Sequence, residues 1–148
     1  MTTQTLRPEI TATTKTAAGN AKLAGITLSA FRVVVGFLFL CHGLQGFGAF
    51  GGVDGAGTAV VFGTLGWWAG TIEVGTALLV AGGIFTRTAA LLASGTMAYA
   101  YFSVHQAVAL LPLHNMGEPA ALYSWIFLLI AALGPGSITV ATLVRRHR

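Results

Sequence analysis

Charge is scarce in this sequence. Only 8% of its 148 residues are charged, while 55% are hydrophobic; soluble domains carry about a quarter charged residues. So few charges make a poor water-facing surface. A bilayer removes the difficulty, because side chains that face lipid need no charge. Acidic residues are rarer than basic ones, four against eight, for a net charge of +4. The basic residues are scattered over the N-terminal segment, the segment ends and the tail "RRHR", with no basic face interleaved with aromatics. That excludes a nucleic-acid partner and leaves topogenic charge as the reading. Cysteine is almost absent. Cys41 stands alone, so an intramolecular disulfide, a CxxC thiol relay and a CxxCH haem motif are all excluded. Gly46, Gly48 and Gly51 match GxGxxG spacing, but no strand precedes them, so they are no nucleotide motif.

What the sequence does have is long apolar runs. Residues 1–24 are Thr/Ala-rich, hold Arg7, Lys15 and Lys22, and are interrupted by Pro8; they read as a disordered cytoplasmic tail. The run that follows is too long for a cleavable signal peptide. Residues 25–144 hold four apolar segments: Gly25–Gly46, Leu65–Phe85, Thr88–Leu111 and a shorter Pro119–Leu133. A spanning helix needs roughly 20 residues to cross about 30 Å of hydrocarbon. Pro135, within "GPG", stops or kinks the fourth, and "SITVATLV" continues before the basic tail, 145–148. Residues 54–64 are either a loop with a short interfacial helix or an early start of the second span. The expected fold is an all-α membrane protein, a four-transmembrane-helix bundle. Lys and Arg alternate in side along the chain, which predicts both termini and the Arg87 turn in the cytoplasm. Trp67, Trp68, Tyr123 and Trp125 would form an aromatic belt near the outer surface.

Within these apolar segments lie Arg32, His42, Glu73 and His105. Each costs roughly 2.5–3.5 kcal/mol if charged at mid-membrane, so each should face protein or trapped water. Gly66, Gly70, Glu73 and Ala77 share one small-residue helix face, which points Glu73 into the bundle and suits close helix packing. Ser94, Met97, Tyr101 and His105 share a face by the same spacing, and Gly36 and Gly43 form a close-contact stripe beside His42. Counting from the cytoplasmic ends puts His42 and His105 at similar heights, with Glu73 a turn or two below. The stretch "GFLFLCHGLQGFGAFGG" therefore raises two alternatives. His42 and Gln45 either line a polar pocket with Glu73, Tyr101 and His105, or bond headgroups and waters at the interface. Arg32 either snorkels to the cytoplasm or pairs with Glu73. His114 and Glu118 read as solvated loop residues, with Glu118 favouring a helix N-terminus. Two histidines and a carboxylate can ligate a metal, but no two share a helix, so no metal is expected.

The order of features resembles the DoxX family of small bacterial four-span membrane proteins. The matching pieces are "FRVVVGFLFLCHGLQGFGAFGG" from Phe31, "GTIEVGTALLVAGGIFTRTAALL" from Gly70 and "GEPAALYSWIFLLIAALGPGS" from Gly117. Arg32, His42, Gln45, Glu73 and Arg87 match the family's polar positions. Members often carry an aspartate shortly after the GPG break, where this chain reads "SITV". The resemblance implies a protein of the bacterial cytoplasmic membrane that partners redox chemistry. Relatives include a subunit associated with thiosulfate:quinone oxidoreduction and a protein linked to thiol and superoxide defence. On this reading Glu73 handles protons, and His42, Gln45, Tyr101 and His105 contact a quinone. No cofactor is intrinsic to the chain, so an electron-delivering membrane or peripheral protein is required; a homo-oligomer is compatible with it. The alternatives are a non-catalytic anchor or assembly subunit, and a small-molecule or proton pathway along Arg32 and Glu73.

Overall fold

The computed structural model describes the backbone of residues 6–146 and the side chains of residues 17–146. Every regular element among the described residues is a helix, with no strand among them. Helix α1 runs Leu6–Gly46, α2 Leu65–Gly82, α3 Thr86–Ala100, α4 Glu118–Leu133 and α5 Val140–Arg146. A π-helical turn, Tyr101–His105, extends α3.

The first helix departs from expectation. Residues 6–24, read from sequence as a disordered tail, continue α1 as one 41-residue helix. Residues 1–5 of that tail lie outside the described residues, as do residues 147 and 148. The segment is rich in alanine, the best helix former, and Pro8 falls in the first turn, where its missing N–H is not needed. Ala17–Gly46 is long and apolar enough to cross a membrane by itself. Glu118–Leu133 is a shorter apolar helix.

Residues 47–64 form a glycine-rich loop with one turn of 3-10 helix at Ala49–Gly51 and no helix over 54–64. Asp54 Oδ1 accepts from the backbone of Ala56 and Thr58. Bonding to Thr58 and Ala56 holds its carboxyl below the ordinary aspartate range. Thr64 caps α2 by accepting from Trp67 N at 3.3 Å. That helix ends where Gly83 turns left-handed at φ 73°, returning its N–H to Leu79 and Val80. The third apolar segment is helical only as far as His105. Beyond it, Asn115 Nδ2 and Tyr101 OH donate to the carbonyls of Ala109 and Leu110, which a continuing helix would have used.

The chain folds as two hairpins, α1 with α2 and α3 with α4. On α1 the buried residues Ser29, Arg32, Gly36, Phe39 and Gly43 recur every three or four positions. Glycine is required here by proximity. A Cβ at Gly36 would lie 2.9 Å from Ala81 Cβ, and one at Gly43 would lie 3.0 Å from Glu73 Cβ. So the small-residue faces of α1 and α2 press on each other. Between the hairpins, Phe39 meets Phe127 at 4.6 Å and Tyr123 at 5.0 Å, ring to ring. Ala77, Val80, Ala90, Ala93, Met97 and Ile130 fill the rest of the core. Tyr123 is half-buried against these rings, whereas Trp68 and Trp125 are exposed.

Two arginines close the end of the bundle opposite the glycine-rich loop. Arg32, only 2% exposed, donates to four backbone carbonyls. Two are Val80 and Ala81 at the end of α2, the latter at 2.6 Å; the others are Pro135 at 2.9 Å and Ile138 at 2.8 Å. Arg87 donates to Ala131 and Ala132 at the end of α4, at 2.9 and 2.8 Å. The last carbonyls of a helix lack intrahelical donors and carry its negative dipole end, so a guanidinium fits them in both geometry and sign. Residues 134–139 then cross under the bundle to α1. Ser137 N donates to Gly25 O and Ile138 N to Ser29 Oγ.

Candidate functional site

The expected Arg32–Glu73 charge pair is not formed. Arg32 is occupied by carbonyls at the end of α2, and Glu73 lies seven residues earlier on that helix, about 10 Å along its axis. The guanidinium gains more from orphan carbonyls at its own level than from a carboxylate two turns away.

Glu73 is buried, 7% exposed, and faces α1 at Gly43. Among the described residues no side chain donates to its carboxylate. Beside Gly43, at the end of α1, come His42 and Gln45. His42 stacks on Phe39 at 6.1 Å and lies 5.8 Å from the Tyr123 ring. From the other hairpin comes His105, at the end of the π turn. Its Nδ1 is 3.0 Å from Asn115 O.

A groove of about 1390 Å³ opens between α2 and α3, and His42, Gln45, Glu73 and His105 all line it. The rest of its wall is mainly apolar, including Trp68 and Ile72 from α2 and Leu91, Leu92 and Tyr99 from α3. Along α3 it reaches from Thr88 to His105, a run of about 25 Å at helical rise. The two hairpins are each tightly paired within themselves, and the groove occupies the looser seam between them. No group of three His, Cys, Asp or Glu among the described residues is close enough to share a metal ion; the polar residues are spread along one end of the groove.

Tyr101 is the sequence candidate that the groove excludes. It reaches Leu110 O at 3.3 Å and packs against Phe102 at 5.3 Å. The shared face expected for Tyr101 and His105 assumed an unbroken α-helix. The bond from Gln106 N to Tyr101 O, 2.8 Å, spans five residues, and such a turn takes one more residue to close. Tyr101 is held toward the loop by its bond to Leu110 O, while His105 lines the groove.

Sequence reading missed Asn115 and Tyr123. Asn115, 3% exposed, donates from Nδ2 to Ala109 O at 2.7 Å and accepts at Oδ1 from Gly117 N at 2.8 Å. Between them Met116 takes a left-handed φ of 57°, which bulky residues rarely adopt. The signal was present: Asn two residues before Gly, ahead of a helix, is an Asx-turn pattern. Tyr123, Phe127 and Ile130 share a face of α4 by spacing, which marks Tyr123 as inward. His114 and Glu118 are exposed as expected, His114 on the groove rim and Glu118 in the first turn of α4.

Comparison with known proteins adds lineage. The DoxX family profile matches residues 27–106. An uncharacterized protein of Haemophilus influenzae is 38% identical over 113 residues, covering 74% of this chain and 84% of the relative. No solved structure matches the chain significantly.

Proposed function

The chain belongs to the DoxX family of membrane proteins, and from that premise we propose that it binds a quinone in the groove between α2 and α3, as a membrane subunit of a redox system. One observation carries this reading: a long apolar groove ends on His42, Gln45, Glu73 and His105. Ligand sites are mostly apolar with a few placed polar groups, and a membrane quinone has that division, a polar ring on an isoprenoid tail. The tail lies along Leu91 and Leu92 and the ring reaches the histidines. Glu73 exchanges protons with the ring. The chain offers no electron carrier of its own, so a membrane or peripheral redox protein supplies or removes the electrons.

The same proposal places four spans in the bacterial cytoplasmic membrane, α3 being carried on by its π turn. Large apolar side chains cover the outside of each helix, among them Phe37, Leu78, Leu91 and Leu129. Arg32, Arg87, Arg145 and Arg146 gather toward one end, while Asp54 and Glu118 lie at the other. The positive-inside rule makes the arginine end cytoplasmic. The competing reading, an assembly subunit, drew on the small-residue faces of α1 and α2. Those faces are used within the chain, against each other.

Purification in mild detergent followed by solvent extraction and mass spectrometry tests the proposal. A stoichiometric quinone in the wild type, lost from His42→Ala and His105→Ala variants of unchanged expression, is the expected result. Absence of quinone from the wild type, with no binding on adding it back, overturns the reading.

A further inference from the structure

The hydrogen bond behind His105 decides which form of a ligand the groove can hold. Asn115 O is a backbone carbonyl and only accepts. A bond to it at 3.0 Å therefore places the proton on His105 Nδ1. In a neutral imidazole the other nitrogen, Nε2, is then a lone pair. Nε2 has no partner among the described residues and is not a buried orphan, and His105 lines the groove; its lone pair is open to whatever lies there. The partner carbonyl is held firmly. Asn115 ties its own loop down through both ends of its side-chain amide, at 2.7 and 2.8 Å, and is 3% exposed.

Glu73 accepts hydrogen bonds when ionised and donates one when protonated, and no described residue bonds its carboxyl to fix which. His42 has no ring-nitrogen bond among the described residues, so its tautomer can follow the ligand. Gln45 offers one acceptor and two donors. Of the four, His105 alone has its role set by the protein, and its free nitrogen is an acceptor.

We propose that the groove selects the reduced, hydroxyl-bearing form of its ligand, a para-dihydroxy aromatic ring on an apolar tail, through His105 Nε2, with Asn115 as the positioning residue for His105. This rests on the quinone reading and names the redox state that the site prefers. A dione presents only acceptor oxygens to that lone pair, leaving it without a donor. A site built to bond a hydroxyl discriminates strongly against an analogue lacking it.

The experiment is anaerobic titration calorimetry of the full-length protein in lipid nanodiscs, with a short-tailed para-benzoquinol and the matching para-benzoquinone. The quinol should bind at least about tenfold more tightly, since an unmet buried acceptor is costly. In His105→Phe the quinol should fall to the affinity of the quinone. Nitrogen-15 spectra of the histidine rings give a reading that needs no variant. Wild-type His105 should show a pyridine-type Nε2 and a pyrrole-type Nδ1, and Asn115→Ala should show mixed tautomers. Equal or tighter binding of the quinone, or a protonated Nε2 in the neutral ring, overturns this inference and leaves the quinone site standing. Binding of neither form overturns the quinone reading itself, and the selection with it.

Discussion

Arg32 and Glu73 are both buried, charged in type and close in sequence position to apolar neighbours, yet the structure gives them opposite situations. Arg32 spends its donors on four carbonyls from two segments of chain. Glu73 has no bonding partner among the described residues and lines a groove. Their removal should therefore differ. Arg32→Met leaves several carbonyls without donors, at about 1–3 kcal/mol for each that stays dry. Thermal unfolding in detergent should show a loss of at least about 2 kcal/mol. Arg32→Lys should recover only part, because an ammonium cannot fork toward two segments. Glu73→Gln should leave the unfolding temperature nearly unchanged, since no protein bond is lost. Equal destabilisation by Arg32→Met and Glu73→Gln would mean that the two side chains pair after all.

Among the elements, α1 and α2 depend on a close approach that glycine alone allows. Gly43→Val adds branches where even a Cβ would sit 3.0 Å from Glu73 Cβ and Val74 Cγ2. Overpacking of this kind costs about 1–3 kcal/mol, and the displaced α2 would also shift Glu73. Gly75 provides the control. It lies on α2, and a Cβ added there would meet nothing within 4 Å. Gly75→Ala should therefore be neutral or slightly stabilising, because alanine suits a helix better. Thermal unfolding of the two variants side by side checks the contrast. Similar losses from both would show that α2 tolerates no change on either face.

For the whole molecule, the distribution of charge gives a directional expectation. The arginines at the carbonyl-capping end and the acidic residues at the loop end lie at opposite ends of the bundle. In a Cys41→Ala background, Asp54→Cys should react with a membrane-impermeant maleimide in intact spheroplasts. Arg146→Cys should react only after permeabilisation. The reverse pattern would invert the proposed orientation, and labelling of both from outside would end the four-span arrangement. Neither substitution touches the core, so both variants should fold.

Local pattern and composition were enough for part of this molecule. The shortage of charge and the long apolar runs specify helices without strands, and the DoxX lineage was legible in the order of "HGLQG", the "IE" of α2 and "GPG". The start of α2 after Thr64, the stop at Pro135 and the facing of Glu73 toward small residues all follow from caps, ring geometry and helical spacing. Competition between distant groups was resolved only in three dimensions. Arg32 had a carboxylate and several carbonyls to choose from, two at the end of α2 and two that only the crossing of residues 134–139 beneath α1 brings within reach. Tyr101 is absent from the groove and its hydroxyl bonds Leu110 O in the loop beyond the π turn. Asn115 entered the site because a loop folded back onto His105. Hydrogen bonds between segments far apart in sequence leave no periodicity to read, and they are what place the polar end of the groove.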